Sequence, residues 1–238
     1  MPGSTRLFVP APLRPGAEIA PSPAQAHHLG AVLRLKPGAR IAVFNGADGE
    51  WQARIAMLAR GEGRLAVEEQ RRPQEPEPDL WLAFALLKRD ATDLVAEKAT
   101  ELGVSALFPV LTARTQASQV NLARLAAIAQ GAAEQSERLS LPAIHPPRTL
   151  ARLLAEWPPE RRLVAAVERA GAPPIAAGTG GAPAGLLVGP EGGFTPAELD
   201  VLARHPFVTL AGLGPRILRA ETAAIVGLAL LSALASTA

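Results

Sequence analysis

The first seventy residues alternate apolar and polar positions with the period of two that extended strands require. Residues 6–9, 40–44, 51–58 and 64–68 show this pattern, and each is predicted to be a strand. Residues 45–49, Asn-Gly-Ala-Asp-Gly, lie between two of these strands and have the composition of a tight hairpin turn. Short strands joined by tight turns predict a small β-barrel.

A single helix is predicted within this β-rich part. Ser22 is a suitable N-cap, Pro23 fits the first helical position, and the helix is expected to reach about Leu33. His27 and His28 are adjacent, so they point in different directions from a helix and are poor joint metal ligands. We interpret both as structural.

The period changes after a charged, proline-rich segment, residues 71–79, where we predict a domain boundary. Residues 80–87 form a near-continuous apolar run, which is typical of a strand buried on both faces. Helical and strand patterns then alternate, which predicts an α/β domain with a mostly parallel sheet. The further predicted strands are 107–111, 163–167, 185–188 and 207–210, and the predicted helices include 91–102, 122–138, 150–157 and 221–235.

Two glycine-bearing loops follow the last two predicted strands. In the first, three glycines surround Glu191, and Thr195 with Glu198 then opens a helix with a capping box. In the second, Gly212 and Gly214 precede the long apolar C-terminal helix. Each loop alone is equally well an ordinary strand-to-helix turn, but together they predict the two walls of one small-molecule site.

Composition narrows the class of protein. The 238 residues include no cysteine, which excludes disulfides and thiolate chemistry and fits a reducing cytosol. The formal charge of +2 is too small to require a polyanionic partner, although the first seventy-two residues are mildly basic. The N-terminus has no signal-peptide core, and the longest apolar run, residues 223–235, is too short for a bilayer span. We therefore predict a cytoplasmic protein without a membrane or metal partner.

The two glycine loops carry a family resemblance. Gly-Pro-Glu-Gly-Gly-Phe at residues 189–194 and Leu-Gly-Pro-Arg-Ile-Leu-Arg-Ala-Glu-Thr-Ala at residues 213–223 resemble the S-adenosylmethionine-binding signature of the SPOUT methyltransferases. More closely, they resemble the small-subunit ribosomal RNA uracil-N3 methyltransferases. Residues 28–34, 98–104 and 133–138 also fit that family's pattern, so the resemblance covers essentially the whole chain.

The resemblance implies a fold. Residues 1–72 are expected to form a PUA-like β-barrel that binds RNA, and residues 79–238 a SPOUT methyltransferase domain. Such domains contain a deep trefoil knot, which is expected here within residues 186–223. Periodicity alone does not predict a knot, because chains rarely thread themselves.

The resemblance also implies S-adenosylmethionine as the cofactor. Main-chain groups of the two loops are expected to hold it, and Leu213, Ile217 and Leu218 are expected to pack on its adenine. The complete expected set of cofactor-binding residues is Leu187, Gly189, Pro190, Glu191, Gly192, Gly193, Leu213, Gly214, Ile217, Leu218, Arg219, Thr222 and Ala223.

The implied reaction is methyl transfer to N3 of a uridine in 16S ribosomal RNA. Arg219, Arg138 and Glu191 are the candidate catalytic residues, since the site must share the N3 proton and stabilise charge on the flanking carbonyl oxygens. Alternatively, Arg219 pairs with Glu221 or loop carbonyls, and Glu191 only fixes its turn. The candidate RNA-binding residues are Arg6, Arg34, Arg114, Glu134 and Arg138.

Glu134 and Arg138 have an alternative interpretation, because residues four apart on one helix can form an ion pair. Two other functions also remain open. The chain could be a SPOUT enzyme that methylates another position, such as a tRNA ribose 2′-hydroxyl, or a non-catalytic RNA-binding protein. The intact cofactor loops argue against the second.

The C-terminal helix predicts an assembly. Residues 221–235 are apolar around most of the helix circumference, so either the rest of the domain or a second subunit covers the face away from the sheet. SPOUT enzymes dimerise through this region, and the resemblance therefore favours a homodimer whose interface includes Ile225, Leu228 and Leu231 or their neighbours. The partners expected for the chain are a second copy of itself and ribosomal RNA or the small ribosomal subunit.

Overall fold

Contacts within the chain define two units, each with its own core. The structure is a computed structural model that describes residues 5–59, 61–117, 119–168, 171–175 and 184–235. The first unit combines Met1–Pro76 with Ala133–Leu141, and the second combines Glu77–Ala132 with Pro142–Ala238. Within the described ranges, no helix has the length and apolar character needed to cross a bilayer.

The first unit is built on five strands, β1 (Arg6–Phe8), β2 (Glu18–Ile19), β3 (Arg40–Phe44), β4 (Glu50–Ala59) and β5 (Glu62–Arg72). Their order in the sheet is β1-β3-β4-β5-β2. β1 and β3 are parallel, and the other neighbours are antiparallel. The alternate apolar residues predicted from the sequence, such as Val43, Ile55 and Leu65, fill one core. Register shifts between β4 and β5 mark bulges, which bend a strand locally.

The predicted strands of this unit are confirmed, but one of them is longer than predicted and one further strand was not predicted. β5 continues to Arg72, which is paired with Glu50 on β4, so the strand runs into the segment predicted as a linker. β2 was not predicted, because a strand of only two residues is too short to show an alternation. β2 belongs to the sheet because it pairs with residues 65 and 66 of β5.

The helix of the first unit begins as predicted and then changes type. Ser22 accepts a hydrogen bond from the Gln25 backbone N–H at 3.3 Å, and the Gln25 side chain accepts from the Ser22 N–H at 2.8 Å. α1 (Pro23–His27) is followed directly by a π-helical segment (His28–Val32). Arg34 then has a φ of +54°, a left-handed conformation that is uncommon for any residue except glycine.

The second unit contains a parallel sheet with the order β12-β10-β11-β6-β7-β8, and β9 also pairs with β7. Its strands are β6 (Leu80–Ala85), β7 (Ala106–Leu111), β8 (Ala143–Ile144), β9 (Arg148–Thr149), β10 (Arg162–Ala166), β11 (Ala184–Val188) and β12 (Val208–Ala211). The remaining helices are α2 (Arg89–Glu101), α3 (Leu122–Gln135), α4 (Leu150–Glu156), α5 (Pro196–Arg204) and α6 (Ala220–Ala235).

Helices cover both faces of this sheet. One core contains residues of α2 and α6 together with Leu82, Phe84 and Leu186 of the strands. The other contains residues of α4 and α5 together with Phe108 and Leu187. Because the sheet is buried on both faces, the sequences of these strands are continuous apolar runs. The predicted α/β domain with a parallel sheet is confirmed.

α6 packs very closely against β11. A Cβ atom at Gly227 would lie 2.6 Å from Leu186 Cδ2, so only glycine allows this distance between helix and sheet. Leu228 is fully buried and Leu231 is 4% exposed, and both belong to the core of their own unit. The prediction that Leu228 and Leu231 themselves lie in a dimer interface is wrong, because the chain itself covers them. Leu230, a neighbour of both, is 36% exposed.

α3 ends at Gln135, earlier than the predicted end at residue 138. Glu137 has a φ of +62°, which is incompatible with a continuing right-handed helix. Arg138 therefore lies beyond the end of α3, so Glu134 and Arg138 are not four apart on one continuous helix. Sequence periodicity missed this end because no glycine or proline marks it.

Arg6 of β1 fixes the turn that follows α3. Its Nη1 donates to the backbone carbonyls of Ala133 and Glu134 at 2.9 and 3.1 Å. Its Nη2 donates to the carbonyl of Arg138 at 2.7 Å. The Ala133 and Glu134 carbonyls are among those that a helix C-terminus leaves without intrahelical partners, so the guanidinium acts as a cap supplied by a distant strand.

Glu50 of β4 balances the charge of this buried arginine. Arg6 Nε lies 2.6 Å from Glu50 Oε2, and the two side chains are only 6% and 12% exposed. Arg72 Nη2 contacts the same oxygen at 3.1 Å. Burial alone would raise the pKa of Glu50, but the hydrogen bonds and charges of Arg6 and Arg72 together hold it below its usual value.

The Glu50→Ala variant should lose about 3 kcal/mol of unfolding free energy at pH 7, because it leaves the Arg6 charge buried without its carboxylate. A carboxyl group with a lowered folded-state pKa stabilises the protein above its unfolded pKa of about 4.3, and this contribution disappears as pH falls through the folded pKa. The variant should therefore also show a shallower loss of stability below that pH. Urea unfolding across pH 3–7 measures both effects.

Glu69→Ala is the matched control, because Glu69 is 63% exposed and contacts only Arg71 among the ion pairs of the described residues, at 3.3 Å. We expect it to change the unfolding free energy by less than about 1 kcal/mol. Equal losses for the two variants would show that Arg6 and Glu50 do not hold this unit together.

Candidate active site

Three loops leave the same edge of the parallel sheet and line a cavity of about 550 Å³. They follow β10, β11 and β12, which are neighbours in the order β12-β10-β11. Because these strands are parallel, their carboxyl ends lie at one edge. This edge is where open α/β sheets bind their ligands. The site predicted to have two walls therefore has three.

The loop after β11 is held in a tight turn. Gly193 donates its N–H to the carbonyl of Pro190 at 2.8 Å and has a φ of +66°, a conformation that a glycine adopts without strain. Thr195 then caps α5, since its side chain accepts from the Glu198 N–H at 3.2 Å. The turn and the cap together fix the main chain beside the cavity.

The third wall comes from the segment that follows β10. Gly212, just after β12, donates its N–H to the Pro173 carbonyl at 2.9 Å, and Ile175 donates to the Gly212 carbonyl at 3.1 Å. Ile175 is 3% exposed and anchors the segment in the core. Sequence analysis found no signal in residues 170–184, since their composition is that of an ordinary loop. Part of that range lies outside the described residues.

The lining of the cavity combines apolar side chains with polar main-chain groups and a few charged side chains. Val167, Leu213, Leu218 and Ala223 contribute apolar surface, and Ile217 is 54% exposed there. Clefts of this size and composition are typical small-molecule sites. An apolar ring system and a polar chain that hydrogen-bonds to main-chain groups would both be accommodated.

Charged side chains occur at the rim of the cavity. Arg114, from the loop after β7, donates from Nη1 to the Gly192 carbonyl at 2.6 Å. Glu168 and Arg216 also line the cavity, and both are exposed. Among the residues that the structure describes, no group of three or more His, Cys, Asp or Glu side chains is arranged to hold a metal ion.

Comparison with known proteins identifies the family. A profile described as an RNA methyltransferase domain matches residues 74–232. The chain belongs to this RNA methyltransferase family. A second profile, described as an RNA methyltransferase PUA domain, matches residues 22–68. The predicted recognition of an RNA methyltransferase with an N-terminal PUA-like domain is confirmed.

Individual members of the family match over most of their length. A ribosomal RNA small subunit methyltransferase E of Rickettsia conorii is 35% identical over 208 residues, which are 85% of this chain and 84% of the relative. The protein of that name from Synechocystis is 36% identical over 225 residues, covering 92% of this chain and 74% of the relative. The crystal structure of a ribosomal RNA small subunit methyltransferase E from Neisseria gonorrhoeae, bound to S-adenosyl methionine, superposes with a TM-score of 0.89. It covers 97% of this chain and 98% of its own, at 27% identity.

Most of the cofactor-binding residues expected for this chain line the cavity. The predicted residues that line it are Gly189, Pro190, Gly192, Gly193, Leu213, Gly214, Ile217, Leu218 and Ala223. Leu187 instead points into the core and is fully buried. Glu191, Arg219 and Thr222 are exposed and lie next to lining residues in the sequence. No hydrogen bond or ion pair of the Arg219 or Glu191 side chain occurs within the described residues.

The lining also includes residues that sequence reasoning missed. They are Ala166, Val167, Glu168, Gly171, Ala172, Val188, Phe194, Leu199, Gly212, Pro215, Arg216 and Ala220. Phe194, Pro215, Arg216 and Ala220 lie within the recognised motifs but were not in the expected set, and Val188 and Gly212 directly adjoin these motifs. The residues after β10 could not be found from these motifs, because only the strand order brings that loop beside the other two.

Most of the predicted RNA-binding residues lie in the first unit. Arg6 and Glu134 are engaged there, since Arg6 caps α3 and Glu134 Oε1 accepts from the Phe8 N–H at 3.0 Å. Arg138 is 8% exposed, and its Nη2 donates to Ser140 Oγ at 3.2 Å. Arg114 lines the cavity as described. These contacts give Arg6 and Glu134 a structural role, and their contact with RNA stays a prediction.

Arg34 differs from these residues because it is exposed at the end of the π-helical segment. His28 and Lys36 are exposed beside it in the sequence, and Val32 and Leu33 are 59% and 39% exposed. No acidic residue occurs between Glu18 and Asp48. We call residues 27–36 the basic ridge. Strained backbone and π-helical turns are frequent at functional sites.

The Gly193→Val variant should lose S-adenosylmethionine affinity by more than about a hundredfold, or roughly 2.7 kcal/mol. A Cβ atom at this position would meet no protein atom within 4 Å, so we expect the variant to fold. The free-energy cost would arise from the strained turn and from the loss of contact with the ligand. Isothermal titration calorimetry measures the affinity.

Gly103→Val is the matched control, since Gly103 also has a positive φ, +82°, and open space around it, but it follows α2 away from the cavity. Both variants should lose similar stability, about 1–2 kcal/mol, from a side chain in a left-handed conformation. If Gly193→Val binds the cofactor as the control does, the turn after β11 is not part of the site.

Proposed function

We propose that this chain transfers a methyl group from S-adenosylmethionine to N3 of a uridine in 16S ribosomal RNA of the small subunit. The observation that carries the proposal is the three-walled cavity, which offers main-chain groups and apolar surface but few fixed charges. The relatives named ribosomal RNA small subunit methyltransferase E support the substrate class. The Neisseria gonorrhoeae structure with bound S-adenosyl methionine supports the cofactor.

The residues of the cavity fit this cofactor. Leu213, Ile217 and Leu218 would pack against the adenine, and main-chain groups of the turn after β11 would bind its polar atoms. The cofactor supplies a methyl group made electrophilic by a positively charged sulfur. The chain therefore has to bind and align the reactants rather than provide a nucleophile.

The second task of the site is to make N3 of uracil nucleophilic. Glu191 is an exposed carboxylate on the loop after β11 and would accept the N3 proton. Arg219 is exposed at the start of α6 and would stabilise negative charge on a uracil carbonyl oxygen. Arg138 belongs to the first unit, so its proposed catalytic role rests on the family resemblance alone.

Binding of the RNA itself would involve the first unit and the rim of the cavity. The basic ridge combines positive charge with exposed apolar side chains, which suits a phosphate backbone and unstacked bases. Arg114 offers further N–H donors at the rim. We further propose that the partner is ribosomal RNA or the assembled small subunit and that the protein acts in the cytoplasm.

We also propose a homodimer. The proposed interface keeps the partly exposed Ile225 and adds Ala229 and Leu230, which are exposed in the middle of α6, because Leu228 and Leu231 are covered within the unit. The proposed trefoil knot within residues 186–223 likewise stays a prediction that rests on the family resemblance.

The proposed reaction predicts a defined product. Small-subunit RNA from a strain lacking the enzyme, incubated with the protein and S-adenosylmethionine, should yield 3-methyluridine in a mass-spectrometric nucleoside digest. Arg219→Ala should lower kcat by about 10²-fold or more, since it removes a donor to charge that develops in the transition state. A ribose-methylated product, or no methyl transfer with intact cofactor binding, would contradict the assignment.

The basic ridge predicts a separable effect on RNA affinity. Arg34→Gly removes a charge and also relieves the positive φ, so the protein should be at least as stable as the unmodified one. RNA affinity measured by filter binding should fall, and the dependence of log K on log salt should become shallower by about one. Cofactor affinity should not change.

Arg40→Ala is the matched control, because Arg40 is 64% exposed in the same unit and pairs with Glu68 at 3.0 Å. Its effect on RNA affinity should be smaller. Equal losses for the two variants would indicate a diffuse electrostatic attraction rather than a contact at the ridge.

A further inference from the structure

The carboxylate of Glu198 does more than cap α5. Its Oε2 accepts hydrogen bonds from the Thr195 N–H at 2.8 Å and the Thr195 hydroxyl at 3.0 Å, which completes the capping box. Its Oε1 accepts a hydrogen bond from the Ala113 N–H at 2.8 Å. A capping box by itself uses one oxygen, so the second connects α5 to the loop after β7.

The loop that donates this hydrogen bond is short and internally closed. Thr112 donates its N–H to Thr115 Oγ1 at 2.9 Å, and the two hydroxyls are 2.8 Å apart. Thr115 also donates its N–H to the Thr112 carbonyl at 3.2 Å. Arg114 lies inside this turn, so its backbone is fixed on both sides.

The Arg114 side chain extends over the glycine turn. Nη1 donates to the Gly192 carbonyl at 2.6 Å, and Arg114 Cδ would lie 3.2 Å from a Cβ atom at Gly192. Within the described residues, no other hydrogen bond or ion pair of this guanidinium occurs. An exposed arginine normally samples many rotamers. Here the hydrogen bond between the Ala113 N–H and Glu198, which we call the tether, and the single bond to Gly192 limit this freedom. The other N–H donors of the guanidinium stay available.

We propose that Glu198 is a positioning residue that holds Arg114 at the cavity rim, where the remaining guanidinium N–H groups bind an oxygen of the target nucleotide. The inference rests on the proposed function, since it needs an RNA nucleotide at the cavity. The oxygen belongs to a phosphate or to a uracil carbonyl. A phosphate contact would appear as a salt-dependent rise in KM, and a carbonyl contact as a loss of kcat.

A double-mutant cycle tests the connection. Methyl transfer to small-subunit RNA is measured at saturating cofactor for Arg114→Ala, Glu198→Ala and the double variant. If Glu198 acts through Arg114, we expect about a thirtyfold loss of kcat/KM for the first, about tenfold for the second, and a double variant no worse than Arg114→Ala within about twofold. Multiplied losses, about three-hundredfold, would overturn the proposal.

Thr195→Ala separates positioning from capping, because it removes the Thr195 hydroxyl but leaves the Ala113–Glu198 bond. It should cost α5 a similar amount of stability while reducing kcat/KM by less than about threefold. An activity loss as large as that of Glu198→Ala would mean that the helix cap is responsible, and would refute the proposal. Glu198→Asp, one methylene shorter, serves as a second variant if Glu198→Ala does not fold, with the same expected direction.

Amide hydrogen exchange of residues 111–117 provides a readout that does not depend on methyl transfer. Exchange should accelerate in Glu198→Ala and stay near the wild-type rate in Thr195→Ala. Unchanged exchange in Glu198→Ala would refute the tether even if activity falls. A wild-type protein that methylates no ribosomal RNA but shows the exchange difference would instead contradict the proposed function and leave the tether established.

Discussion

The parallel pairing of β10, β11 and β12 is the constraint on which the candidate site depends. Parallel strands place all their carboxyl ends at one edge, so the three loops meet although they are far apart in the chain. The main chain of these loops then faces a common cavity. Close packing of α6 at Gly227 on β11 keeps this edge compact.

Buried charge has a structural purpose in the first unit. Arg6 satisfies the carbonyls at the end of α3, and Glu50 neutralises it in a site where an unpaired charge would be costly. An arginine on an exposed surface would instead attract RNA phosphates. Burial and bonding partners therefore decide whether an arginine stabilises the fold or is available to RNA. The exposed Arg34 is a better candidate for an RNA contact than Arg6, whose guanidinium is bonded to Glu50 and to α3.

At the rim of the cavity, one residue serves both a helix cap and a contact between distant elements. Glu198 uses one oxygen for local structure and the other for a contact between elements that are distant in sequence. Arg114 thereby joins the glycine turn, and the loop after β7 becomes a fourth element beside the three main walls. Local rigidity of this kind aligns reactants without a fixed charge inside the cavity.

The sequence by itself determined the two-part organisation, the strands and helices with clear periodicity, and the glycine loops that carry the family resemblance. Local patterns encode these features, because alternation, caps and turns depend on neighbouring residues. Only the tertiary structure decided that Gly171 and Ala172 line the cavity, that α3 ends before Glu137, and that Leu228 is covered within its own unit. Each of these depends on contacts between residues distant in sequence, which no local pattern reports.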